Sequence, residues 1–485
     1  MVKSSVGLNT RVGVASFISL LVQKVMVEIK PYAATLLRLL YSAVLEEKSS
    51  AAKKAFASSC AAVLKYASPS QAQKLIEDTA SLHLGEKNVQ LSAAVLIKAY
   101  LSNAGDVLSG YNTCVLPVIF ASRFDDDKDI SALYGELWED IPSSERVTLQ
   151  LYLPEIVSLL CDCMSSSSWA GKRKSAKAIK KLCDSLGESL SVHQNNILKS
   201  LLKELPGRFW EGKDAILDAL ASLCSSCHAA ITAEDSGMPS VILNAVCVAC
   251  SRKSKVYREA AFSCLQQVII VFRDPRFFDT VFPMLYEVSN QSLICKTRVS
   301  SSLAASGSAE QDEREGVSVS LDKVLNCVAS CISIAFPQDI VHQKKNILEV
   351  ILNSLSPEES WQIKLSSFSC IKELCYRFQN SDGNNTWPQE TAFLVQELFH
   401  STTPKVVDVI RLVKISQVTI IPSIYLALTN SYYIVPSHLY YNLIAALRFH
   451  HKIICLPSSE LPYCCLSTAC MFLWLWEHVN IMKLQ

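Results

Sequence analysis

Along most of the chain, apolar residues recur at intervals of three and four, with little sustained alternation. That is helix periodicity, because side chains return to one face every 3.6 residues. The clearest case lies between Ile29 and Ala67. Lys30-Pro31 opens a helix with the stripe Leu36, Leu37, Leu39, Leu40 and Val44. Glu46 to Ser50 turns the chain. A second helix runs from Lys53 through Cys60, Ala61, Val63 and Leu64, and stops at Ser68-Pro69, where a proline ring cannot continue it.

The hairpin recurs. Gln71–Leu82 is followed by Val89–Leu101, Tyr111–Ser122 by Ile130–Trp138, and Ser144–Met164 by Trp169–Leu186. Then come His193–Leu205 with Trp210–Cys224, and Ser240–Cys250 with Lys255–Phe272. Phe277–Ser289 is one more first helix. Later pairs are Ile340–Leu355 with Trp361–Phe378, and Glu390–Phe399 with Pro404–Val418. A basic or polar residue followed three places later by a small one opens several second helices: Lys54/Ala57, Gln90/Ala93, Arg173/Ala176 and Arg258/Ala261. The first two alanines are 36 apart and the next gap is 83, about two repeats of HEAT or armadillo length. The small residue allows two helices to approach, and the basic one can bond carbonyls of the neighbouring repeat. Arg11, Lys54, Arg173 and Arg258 are thus expected at repeat junctions. The fold predicted is all-α, a HEAT/armadillo-type α-solenoid of about nine helix pairs.

Four segments follow. Residues 1–295 read as a HEAT-repeat array. Residues 296–318, rich in serine, glycine and charge, read as a disordered insertion, too polar to order themselves. Residues 319–418 continue the array. Residues 419–485 form an atypical apolar tail, with no Asp, Glu, Lys or Arg between Lys414 and Arg448. Pro422, Asn430, Ser431 and Pro436 interrupt its longest stretch, which argues against a membrane span. The preferred reading is a non-native tail, such as a translated intron. Gly7–Phe17 reads as a second helix lacking its partner and a polar outer face, so the chain is expected to be part of a longer array.

Composition narrows the class. Half of the 485 residues are hydrophobic and the formal charge is +1, without the basicity of a general nucleic-acid binder. The 19 cysteines sit mostly within apolar helical runs, where a free thiol packs as a small hydrophobe. With no leader-like segment at the N-terminus, a reducing compartment fits, cytoplasm and nucleus.

Cys224-Ser-Ser-Cys227 and Cys247-Val-Ala-Cys250 have four-cysteine zinc spacing, but both continue apolar helices and lack the knuckle that exposes thiolates, so packed thiols are expected. Cys224–His228 also matches a haem-attachment string; without an export signal, His228 reads as a polar residue near a helix end. Gly207–Lys213 approaches a phosphate-binding loop, yet Asp214 stands where Ser or Thr should hold magnesium, and a simple turn is expected. Asp125, Asp126, Asp127 and Asp129 are read as capping the next helix rather than holding a cation. No catalytic, cofactor-binding or metal residue is nominated. Lys172, Arg173, Lys174, Lys177, Lys180 and Lys181 make one helix basic, with Ala176, Ile179, Leu182 and Leu186 as its buried side and the charges outward. Arg173, Lys177 and Lys180 are the candidate protein-contact face.

Several strings add a resemblance: Gly7-Leu-Asn-Thr-Arg-Val-Gly13, Ala51-Ala-Lys-Lys-Ala-Phe-Ala57, Leu64-Lys-Tyr-Ala67, Pro69-Ser-Gln-Ala-Gln-Lys-Leu75, Gly207-Arg-Phe-Trp-Glu-Gly-Lys-Asp214 and Thr403-Pro-Lys-Val-Val407. Residues 1–418 resemble the C-terminal part of the proteasome adaptor and scaffold proteins of the ECM twenty-nine family, most of all its plant members. The resemblance implies a large HEAT solenoid without enzymatic activity or cofactor. It further implies binding to the proteasome and bridging of its regulatory and core particles, with vesicle or motor proteins as further partners. It gives no role to nucleic acid, a small-molecule substrate or a membrane. The competing expectation is a HEAT-repeat adaptor for another cargo, such as a transport or phosphatase scaffold.

Overall fold

The computed structural model describes residues 7–141, 143–302, 320–356 and 359–379. The pair expected over 390–418 and the tail at 419–485 lie outside the described residues. Two compact units, Met1–Ser251 and Arg252–Gln485, are taken one at a time.

The first unit contains α1 (Leu8–Val25), α2 (Ala33–Glu46), α3 (Ser50–Leu64), α4 (Pro69–Ser81), α5 (Lys87–Leu108), α6 (Asn112–Ser122) and α7 (Lys128–Glu139). It continues with α8 (Glu145–Leu151), α9 (Leu153–Ser165), α10 (Trp169–Leu186), α11 (Gln194–Glu204), α12 (Asp214–Glu234) and α13 (Met238–Cys250). These helices form two layers. In one, α1 packs on α3, α3 on α5, α5 on α7, and α10 on α12; in the other, α4 packs on α6, α6 on α9, and α9 on α11. Each hairpin hides its apolar stripe against its own partner and the next hairpin, the packing expected of a repeat array. The second unit repeats the logic with α14 (Lys255–Phe272), α15 (Phe277–Ser302), α16 (Leu321–Ile334), α17 (Pro337–His342), α18 (Lys344–Ser354) and α19 (Trp361–Gln379). There α14, α16 and α19 stack as one layer, and α15 packs on α18 in the other.

The small residues placed by the sequence pattern lie where the helices meet. Ala57, Ala93, Ala176 and Ala261 are all fully buried. At helix crossings, a hydroxyl or thiol repeatedly donates to a carbonyl of a neighbouring helix: Ser59 to Ala15 at 2.6 Å, Ser226 to Cys183 at 3.2 Å, Cys327 to Phe262 at 3.1 Å, and Cys370 to Leu325 at 3.3 Å. Only small side chains allow backbones close enough for these bonds.

Some boundaries differ from the sequence reading. Ahead of α2 the chain winds as a 3-10 helix over Met26–Tyr32, so α2 opens at Ala33 rather than at Lys30-Pro31. The helix expected over 144–164 breaks at Tyr152 (φ −110°, ψ 21°), and α8 and α9 meet at 79°. Pro154 in the first turn of α9 withholds a donor there, so a new helix begins more readily than the old one continues. The helix expected over 340–355 likewise breaks, at Gln343. Helix α15 continues to Ser302, past residue 296 where the insertion was expected to begin; residues 303–319 lie outside the described ones. His228 directly follows a break at Cys227 (φ −125°, ψ 16°), where two helical segments of α12 meet, and the second segment runs on to Glu234.

By length and composition alone, the stretch Leu8–Glu46 and helix α12 could cross a membrane. Half of the α12 window is buried within the unit. Along the first stretch, Phe17, Leu20, Leu21, Met26 and Val27 are exposed.

Candidate protein-contact face

The turn between α6 and α7 gathers the basic residues around it. Asp127 caps α7, its side chain accepting from the Asp129 and Ile130 amides at 3.0 and 3.3 Å, and Asp125 accepts from the Asp127 amide at 3.1 Å. The capping expected of this cluster is therefore present. The same carboxylates also take cations from two other helices. Lys87 of α5 reaches Asp127 and Asp129, each at 2.7 Å. From α10, Arg173 and Lys177 meet Asp126 at 2.7 and 2.6 Å, and Lys174 meets Asp125 at 3.3 Å. Lys87 bonds hold the Asp127 carboxyl below its ordinary range.

This arrangement corrects the expectation that all the α10 charges face outward. Lys172 and Lys174 are buried, at 7% and 3% exposure. Lys172 is accommodated by Glu204 at 2.5 Å and lies 5.3 Å from the centre of the Trp169 ring. Lys174 bonds the His83 carbonyl at 2.7 Å in addition to Asp125. A buried ammonium persists only when its protons find such acceptors. Burial lowers the Lys174 pKa, and Asp125 opposes that shift. The apolar side was placed correctly, with Ala176, Ile179, Leu182 and Leu186 all buried.

Arg173 is a junction residue, as expected. Besides Asp126, its guanidinium donates to the Glu211 carbonyl in the α11–α12 turn. Arg11 is another, bridging to the buried Glu47 at 3.0 Å, whose carboxylate also accepts from the Lys48 and Ser49 amides. Lys54 is not: it is exposed, and its neighbour Lys53 turns inward to Asn88 Oδ1 at 2.8 Å and Ser92 Oγ at 2.7 Å. One residue is a 100° rotation about a helix, enough to exchange inside and outside. Arg258 is half-buried, and burial lowers its pKa.

The α11–α12 turn is the simple turn expected of Gly207–Lys213. Lys213 folds back to donate to the Gly207 and Arg208 carbonyls at 2.8 and 3.2 Å, and Trp210 stacks on Trp169 at 5.5 Å. At the end of α6, Arg123 sits 5.0 to 5.6 Å from the ring centres of Phe120, Phe124 and Trp138. Glu145 accepts from Arg123, Trp138 and Lys181, tying α8 to α7 and α10.

The candidate face therefore splits. Arg173 is largely committed to the turns. Lys177 and Lys180 keep 43% and 46% of their side chains exposed, Lys180 paired with Asp184 one turn along at 2.9 Å. The paired cysteines lie within α12, at its bend, and in the last turn of α13: Cys224, Cys227 and Cys250 are buried and Cys247 half-buried. Burial pushes Cys224 up to about 12 and both Cys227 and Cys247 up to about 11, the opposite of what a thiolate ligand or nucleophile needs. Among the described residues, no group of three or more His, Cys, Asp or Glu is placed to hold a metal ion.

Two layers of stacked hairpins, small residues at the crossings and polar side chains bonding from repeat to repeat define a HEAT/ARM-type repeat protein. Residues 1–84 match the HEAT-repeat domain of the proteasome adapter and scaffold protein ECM29, and residues 228–424 match the C-terminal ARM-like repeats of ECM29. The chain belongs to the ECM29 family. It is 26% identical over 396 residues to "Proteasome component ECM29" of Saccharomyces cerevisiae, covering 80% of this chain and 21% of that protein. It is 24% identical over 419 residues to "Proteasome adapter and scaffold protein ECM29" of Homo sapiens, covering 83% of this chain and 22% of that one. The chain thus spans about a fifth of the length of these relatives. Among solved structures, the karyopherin Kap121p bound to the extreme C-terminus of the protein phosphatase Cdc14p aligns with a TM-score of 0.40 and 11% identity, over 95% of this chain and 43% of that one.

Proposed function

We propose that this chain is a scaffold segment that binds the proteasome and helps to bridge its regulatory and core particles, without catalysing a reaction. The observation that carries the proposal is the pairing of ECM29 matches over residues 1–84 and 228–424 with a repeat stack in which ion pairs from α10 hold the α6–α7 turn. Such a stack offers a long surface for docking and needs no pocket. Lys177 and Lys180 are its contact residues, and Arg173 shapes the surface beneath them. The setting is the cytoplasm and nucleus, where vesicle or motor proteins are further partners. The test is capture: the tagged chain should recover subunits of both particles from a cell extract, and recovery should fall when Lys177 and Lys180 are both changed to Glu. Recovery of neither particle by the unaltered chain contradicts the proposal.

A further inference from the structure

His83 is the middle residue of the 3-10 turn Leu82–Leu84 after α4 and is 8% exposed. Its Nδ1 lies 2.9 Å from the Ala80 carbonyl, which can only accept, so the ring proton sits on Nδ1. That leaves Nε2 as an acceptor, and it faces the Cys163 thiol of α9 at 3.5 Å. Cys163 is 2% exposed. The backbone carbonyl of His83 in turn accepts from Lys174 of α10 at 2.7 Å, and Lys174 also meets Asp125 of the α6–α7 turn and, at 3.4 Å, Gln90 of α5. One buried histidine therefore joins segments from three successive hairpins.

We propose that His83, Cys163, Lys174 and Asp125 form a proton-operated latch between neighbouring repeats, closed when His83 is neutral and released when it takes up a proton. Protonation would give Nε2 a hydrogen with only a thiol in front of it. It would also place a second buried cation beside Lys174, with Asp125 the single carboxylate in the network to balance both. Asp162, next to Cys163, is exposed, and Lys87 at the start of α5 is already bound to Asp127 and Asp129. No further anion from α4, α5, α9 or α10 bonds this network among the described residues. Burial and the Lys174 charge both lower the His83 pKa, the Ala80 bond opposing them. A base with a lowered folded pKa takes up its proton more readily once the site opens. Opening is therefore favoured as pH falls below the ordinary value of about 6.5, by up to about tenfold between pH 7.5 and 5.5.

Hydrogen exchange on the full chain tests this, read by peptide and corrected for the intrinsic effect of pH. Expected is a several-fold loss of protection at pH 5.5 confined to residues 80–90 and the first turns of α10, with α12 unchanged. His83→Gln keeps an acceptor for the thiol but cannot titrate; it should retain protection at pH 7.5 and lose the response to acid. Unchanged protection at pH 5.5, an equal loss throughout α1–α13, or an acid response that persists in His83→Gln would each overturn the latch. If His83→Gln fails to fold at pH 7.5, the unaltered chain decides the matter by where its protection is lost.

Discussion

The guanidinium of Arg173 lies against Gly212, on the spot where any larger residue would place its Cβ. Gly212 has φ +86°, a left-handed conformation that side chains disfavour. Gly212→Ala should therefore lose on two counts, about 1–2 kcal/mol for the backbone and about 1–3 kcal/mol for the clash. Urea unfolding of the single variant, and of the same variant carrying Arg173→Ala, separates the two. The double variant should recover the clash and keep the backbone cost relative to Arg173→Ala.

Charge reversal should distinguish structure from docking. Arg173→Glu sets two carboxylates against each other across the α6–α7 turn and should cost about 2 kcal/mol or more in unfolding free energy. Lys180→Glu disturbs only a half-exposed pair within one helix and should cost about 0.5 kcal/mol or less. Thermal melts of the two variants should rank them in that order. Equal losses would remove the distinction between Arg173 and its neighbours.

The bonds between repeats predict a graded response. Ser59→Ala removes the bond between α3 and the Ala15 carbonyl, which keeps its own helical donor, and should cost about 1 kcal/mol or less. Ala57→Leu forces three more heavy atoms into a fully buried crossing and should cost about 1–3 kcal/mol. Denaturant titration of both variants checks the ranking, larger for Ala57 because α3 then has to move away from its neighbours.

Acid should weaken the array through its carboxylates as well. Lys87 bonds lower Asp127, and Lys98 bonds lower Glu136. Burial alone would raise Glu145, but Lys181 and Arg123 together bring it below its ordinary value. Groups with lowered folded pKa values contribute stability that is complete above their unfolded values of about 4 and lost as pH falls through the folded ones. Melting temperature should fall below about pH 4.5, and the part due to exposed pairs should shrink in 1 M salt. An acid limb indifferent to salt would assign the effect to buried groups instead.

Much of the fold is legible because a helix is a local object. Leu37, Leu40 and Val44, or Ala176 to Leu186, announce their buried faces within three turns, although Leu39 of the expected stripe is exposed, and the anchoring alanines mark where helices cross. The breaks at Tyr152 and Gln343 were harder to read, since apolar periodicity carries on across them. The polar network was the least visible. Lys174 is buried because its acceptors at His83 and Asp125, 91 and 49 residues back, come to it through three hairpins. The His83–Cys163 pair spans 80 residues and has no spacing signature. A basic run in sequence thus reads as a solvated face until its partners are known.

The most direct measurement is sedimentation of purified proteasome regulatory and core particles, mixed under conditions where they separate, with and without this chain. The account predicts that the chain co-sediments with the particles and increases the fraction held together, and that Lys177→Glu with Lys180→Glu reduces both effects without unfolding the chain. A chain that remains folded and sediments alone would contradict it.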